Sequence, residues 1–139
     1  MYSNKEKQRI VDTICDEVAN GMTTRKAIQN QGISFQTFFR WVDDEETKSK
    51  QYARATELRA EYLADEILTI SDSTSEDVIT DENGNPVKNH NVIQRDRLRV
   101  DTRKWLMAKM MPKKYSEKQT IDHTTKGKEI TRIERHIIK

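Results

Sequence analysis

Cysteine occurs once in the 139 residues, at Cys15, so no internal disulfide can form and the chain falls outside the disulfide-stapled small domains. A reducing compartment is the expectation, with Cys15 serving as a small core residue. Apolar residues are scarce too: 34% of the chain is hydrophobic, 6% aromatic and 35% charged, with a mean hydropathy of -0.94. No run approaches the ~18 consecutive apolar residues of a membrane span. The opening Met1-Tyr2-Ser3-Asn4-Lys5 lacks the apolar stretch of a signal peptide, so a soluble, intracellular protein is expected. Glycine appears four times, never at the spacing that cradles phosphates, which excludes the common nucleotide-binding loops.

A large charge excess is also missing. The formal net charge of +2 does not announce a polyanion binder, because counterion release needs a local basic surface. The local distribution is uneven. Basic residues gather between Arg95 and Lys118, whereas acids gather in Asp43 to Glu46 and between Asp72 and Glu82. That asymmetry suits an anionic partner or ion pairs between subunits. With so little apolar material, burial must come from narrow helical stripes, and such stripes call for self-association.

The first stripe is Ile10, Val11, Ile14, Cys15 and Val18 within Lys5 to Asn20, an amphipathic helix stopped by Gly21. Thr23 or Thr24 then caps a short helix through Arg25 to Gln29, ended by Gln31-Gly32. Ser34 is a good N-cap for Phe35 to Val42, where Phe35, Phe38, Phe39 and Val42 mark the buried face. Helix, short helix, glycine-bearing turn and aromatic-backed helix make a helix-turn-helix pattern, whose last helix lies in the major groove. Its outward residues would be Ser34, Gln36, Thr37 and Arg40, since Gln and Arg bond base edges while Ser and Thr bond phosphates or bases. Arg25 and Lys26 would anchor a phosphate. Any three-helix bundle of this size has such a polar face, so the pattern alone does not decide DNA contact.

A long helix is predicted from about Glu46 to Ser71, striped by Tyr52, Ala55, Leu58, Tyr62, Leu63, Ile67 and Ile70. Another runs from about Ile93 to Met111, with Leu98, Thr102, Trp105, Leu106 and Met110 on one side, and stops before Pro112. Together they form an antiparallel helical hairpin whose remaining stripes can bury against other copies. Between them, Val78-Ile79-Thr80 and Val87-Lys88 flank an Asn83-Gly84 turn, which predicts a β-hairpin. The tail after Pro112 is basic and polar, and Ile130 to Ile138 leans towards strand. The expected fold is mainly α: a helix-turn-helix domain at 1–45, a helical oligomerisation domain at 46–112 with an insertion at 72–91, and a basic tail at 113–139 with a short C-terminal β segment.

Catalytic and metal chemistry finds no support, so no cofactor is expected and no metal site. His90, His123 and His136 lie far apart without Cys or carboxylate neighbours at ligand spacing. Asp81, Asn83 and Asn85 alternate as in a calcium loop, but Pro86 stands where that loop needs glycine and Val92 where it needs glutamate. The contiguous acids Asp43 to Glu46 would splay around a helix rather than converge on two metals.

Particular residues do carry a likeness. Tyr52-Ala53-Arg54-Ala55-Thr56-Glu57, Arg97-Leu98-Arg99-Val100-Asp101-Thr102-Arg103-Lys104-Trp105 and Pro112-Lys113-Lys114-Tyr115, preceded by Phe39-Arg40-Trp41-Val42, resemble the small terminase subunits of tailed bacteriophages. The resemblance covers roughly Ser34 to Lys118. It implies a ring of identical subunits that recognises viral double-stranded DNA and recruits and regulates a large subunit holding the ATPase and nuclease, without being an enzyme itself. It also implies that Tyr52, Leu58, Tyr62, Leu63, Ile67, Leu98 and Trp105 serve packing within or between subunits. Arg99, Asp101 and Arg103 would form an ion-pair set in the same region, with Arg97 as the i, i+4 partner of Asp101. In the tail, Ile130, Ile133 and Ile137 would engage the large subunit, and the protein would act in the host cell cytoplasm during infection. The rival is a helix-turn-helix transcriptional regulator acting as a dimer, which a mass measurement separates from a larger ring.

Overall fold

The computed structural model describes residues 1–117. Three short helices come first: α1 (Asn4–Ala19), α2 (Thr24–Asn30) and α3 (Phe35–Asp44). Each start has a side-chain cap that satisfies an otherwise orphaned N–H. Ser3 and Glu6 form a reciprocal capping box on α1, Thr23 accepts from the Lys26 N–H, and Ser34 accepts from the Thr37 N–H. The Glu6 carboxyl is held below its usual range, chiefly by the Ser3 hydroxyl and then by the Ser3 backbone N–H.

Their common core is Ile10, Val11, Ile14, Cys15, Val18, Ala27, Ile28, Phe38, Trp41, Val42 and Ala55. Phe35, expected on the buried face of α3, is instead 43% exposed, and Trp41 takes the core position at 6%. The reason is axial: Phe35, Phe38, Trp41 and Val42 all fall within about a third of a turn, but Phe35 is the first residue of α3, at the rim of the core, and packs on Phe39 with ring centroids 4.6 Å apart.

One extended residue, Glu45, breaks α3 from α4 (Glu46–Asp72), so the acidic run Asp43–Glu46 is divided between a helix end, a break and a helix start. Glu45 pairs with Lys48, whose side chain is 4% exposed. At 27 residues α4 is about 40 Å long. Its first half closes the N-terminal core: Tyr52 packs edge-on against Phe38 and Phe39, and Gln51 and Gln8 both donate to Asp12 Oδ1, at 2.8 and 2.7 Å. The chain breaks at Glu45, but α4, which starts there, packs on the N-terminal core with its first half and so belongs to both halves of the chain.

Its second half pairs with α5 (His90–Met110), with Ala60, Leu63 and Ile70 buried on one side and Met107 on the other. The pairing is antiparallel, as Arg103 Nε bonds Glu66 Oε2 at 2.8 Å and, further along, Tyr115 Oη donates to Glu61 Oε2 at 2.7 Å. Tyr115 ends a short helix, α6 (Pro112–Tyr115), so residues 112–115 fold back on α4 as part of the hairpin. Lys114 also pairs with Glu61 and holds that carboxyl below its ordinary range.

The β-hairpin between the long helices is present as β1 (Val78–Thr80) and β2 (Pro86–Lys88), antiparallel with Ile79 opposite Val87. Its turn differs from a two-residue Asn-Gly link: the Gly84 N–H bonds Asp81 O, so Glu82 and Asn83 are the central residues. Gly84 takes the positive φ of 81° that follows. Asp81 Oδ1 also accepts the N–H groups of Asn83 and Asn85, at 2.9 and 2.8 Å. The strands expected around residues 130–138 lie outside the described residues.

Candidate nucleic-acid interface

The α2–turn–α3 unit carries all six predicted DNA contacts, but with different freedoms. Gln36 and Arg40 lie one turn apart on α3, opposite Phe38, and both are exposed. Among the described residues neither has a side-chain partner. Ser34 and Thr37 are engaged with each other: their hydroxyls are 2.8 Å apart and Ser34 Oγ accepts the Thr37 N–H at 3.1 Å. The Arg25 guanidinium rests over the Phe35 ring, 5.1 Å from its centroid, a cation–π seat that fixes its direction. Lys26 borders an open groove shared with Asp16, Glu17 and Tyr62, where the two acids temper its positive potential.

Phe35 is the residue that the sequence pattern missed here. Its spacing to Phe38 fits a buried stripe, and the cue to its real position is Trp41, three residues after Phe38, which competes for the core. The opposite end of α3 is acidic, with Asp43 and Asp44 both exposed. Such a helix can approach phosphates with its first two turns and not its last.

The second group of predicted residues separates into inward and outward sets. Tyr52 belongs to the N-terminal core and its hydroxyl lies 3.1 Å from Thr24 Oγ1. Leu63 is buried and Ile67 half-buried within the helical hairpin, and Arg103 is spent on Glu66 in the same chain. Arg99 pairs with Asp96 at 3.1 Å. The Asp101–Arg97 pair is not formed: among the described residues neither has an ion-pair partner within 4 Å, because at i, i+4 in that order the exposed side chains gain little by meeting. Leu58, Tyr62, Leu98 and Trp105 remain exposed, at 38, 42, 66 and 61%. Lys109 sits over the Trp105 ring at 5.6 Å. Ile130, Ile133 and Ile137 lie outside the described residues.

Comparison with known proteins fits this geometry. The family model described as bacteriophage Sf6, terminase small subunit-like, matches residues 6–122. The chain belongs to this family. Crystal structures of point-substituted forms of the terminase small subunit gp1 of the bacterial virus Sf6 align over 99% of this chain and 95% of theirs. Two of them are 32% identical to it, with TM-scores of 0.61 and 0.62, and a third is 31% identical with a TM-score of 0.61. No curated protein matches in sequence. As a terminase small subunit-like chain it is mainly helical, with a long α4 and one small two-stranded sheet among the described residues. No described helix is long and apolar enough to cross a membrane.

Proposed function

We propose that this chain is a noncatalytic terminase small subunit that recognises viral DNA and recruits and regulates the large subunit, the ATPase and nuclease, during genome packaging in the infected host cell. The observation that carries the reading is the exposed Gln36–Arg40 face of α3 beside Arg25 and Lys26, on a chain of this family. DNA enters against α2 and the start of α3. Copies assemble into a closed ring through the outer face of the helical hairpin, where Leu98 and Trp105 stand exposed. The tail beyond residue 117 is the segment that engages the large subunit, through Ile130, Ile133 and Ile137.

Duplex binding measured by fluorescence anisotropy across a salt titration tests the DNA half. Arg25→Ala and Lys26→Ala each remove one phosphate contact, so each flattens the log–log salt slope by about 0.9 and weakens binding on all sequences. If both variants reproduce the parent's slope and affinity, DNA does not bind at α2 and α3. Light scattering separates a closed ring from the dimer of a transcriptional regulator.

A further inference from the structure

We propose that base reading is divided between two side chains, Gln36 taking an adenine and Arg40 a guanine, while the other polar groups of the unit hold phosphates or the helix itself. The inference rests on the DNA-binding reading above and adds to it the sequence class that is read.

Availability singles out these two side chains. Ser34 and Thr37 spend their hydroxyls on the α3 cap and on each other, at 3.1 and 2.8 Å. Arg25 is seated on Phe35 at the side of the unit, away from the outermost line of α3. What stays free on that line is Gln36 and Arg40, exposed and without side-chain partners among the described residues. Asp43 and Asp44 repel phosphates from the C-terminal end, so α3 must lead with its first two turns, which puts Gln36 and Arg40 deepest in the groove.

Their chemistry then selects the bases. A glutamine amide presents a donor and an acceptor in one plane, matching N6 and N7 of adenine. The arginine fork presents two parallel donors, matching O6 and N7 of guanine. Four residues along a helix rise about 6 Å, and base steps are about 3.4 Å, so the two bases lie one or two base pairs apart.

The test is enrichment of bound duplexes from a randomised library by the full-length protein, for the parent and for Gln36→Ala, Arg40→Ala and Lys26→Ala. The parent should enrich a motif with an adenine and a guanine at that separation. Gln36→Ala should lose the adenine preference alone and Arg40→Ala the guanine preference alone, each by about five- to 150-fold in discrimination. Lys26→Ala should bind every sequence more weakly and keep the motif. Circular dichroism melts should coincide for Gln36→Ala, Arg40→Ala and the parent, since both side chains are exposed. Binding by the parent without any enriched motif, or a preference that survives its variant, overturns the assignment while leaving DNA binding intact. A parent that binds no duplex overturns the functional reading as well.

Discussion

Trp105→Ala should separate assembly from folding. In one chain the residue is 61% exposed on the outer side of α5, and the Lys109 ammonium lies over its ring. A tryptophan offers up to about 250 Å², so about 150 Å² remains for a neighbouring subunit. At about 25 cal/mol per Å², covering that area is worth roughly 4 kcal/mol, an upper figure because imperfect burial and side-chain ordering reduce it. Losing it weakens a subunit contact by up to about a thousandfold. The cost within one chain is smaller, about 1 kcal/mol, because the site is a half-covered helix surface where alanine is the better helix former. Light scattering over a dilution series, run beside a circular dichroism melt of the same samples, reads both quantities. The variant should keep its helical signal and fall apart at concentrations where the parent stays assembled. Equal mass at every dilution would refute the reasoning, as it would mean that the Leu98–Trp105 face is not where subunits meet.

Gly21→Ala should destabilise by about 2 kcal/mol or more, since φ is 99° and an added Cβ would lie 2.3 Å from the Tyr62 ring; thermal melts of Gly21→Ala with and without Tyr62→Ala check it, and the second change should recover only the part due to the clash. Burial first, and then the charges of Asp12 and Asp16, together push the Cys15 thiol up to about 11. A thiol reagent at pH 8 should therefore label native protein only as fast as it unfolds, and prompt labelling of the native state would contradict the packing. Backbone N–H groups of Asn85 and Asn83 hold the Asp81 carboxyl below its ordinary range. Its contribution to the turn is present above the unfolded value and is lost as pH falls through the lower, folded one. The amide resonances of Asn83 and Asn85 should shift together only below the usual aspartate range, and a midpoint within that range would remove the proposed bonds.

Much of the helical order was legible because short-range chemistry set it. Ser34 caps α3 and Thr23 caps α2 as their types predict, and the stripe from Ile10 to Val18 is the buried face of α1. The capping box of Ser3 and Glu6 was equally readable and starts α1 at Asn4, one residue before the helix predicted from Lys5. The inward side of α5 was not readable. Apolar residues are scattered around that helix, and the side facing α4 is half-buried Val92, Asp96, Val100 and Arg103 together with buried Met107. Two of those five are charged, and the partner that lets Arg103 lie inward, Glu66, is 37 residues away. Periodicity sees only one helix: the stripe of Leu98, Thr102, Trp105, Leu106 and Met110 joins exposed Leu98, Thr102 and Trp105 to half-buried Leu106 and Met110, and so is displaced towards the outer side of α5.

That displacement bears on how the chain is stabilised. The N-terminal core closes by itself, with Val11, Ile14, Val18, Ile28 and Phe38 fully buried and the first half of α4 laid across them. The helical hairpin closes differently: apart from Ala60, Leu63, Ile70 and Met107 its contacts are half-buried or ionic, while Leu68, Leu98 and Trp105 stay outside at 61–66% exposure. Exposed ion pairs such as Lys114–Glu61 contribute little on their own. In the proposed ring, a hairpin with its larger side chains turned outward would gain most of its remaining apolar burial from another copy, so the α1–α3 unit would keep its shape in a lone subunit while the hairpin would depend on assembly. In that arrangement a dissociated subunit would retain the means to touch DNA, and only the assembled one would present several reading units at fixed spacing, where each added contact raises the effective concentration for the next.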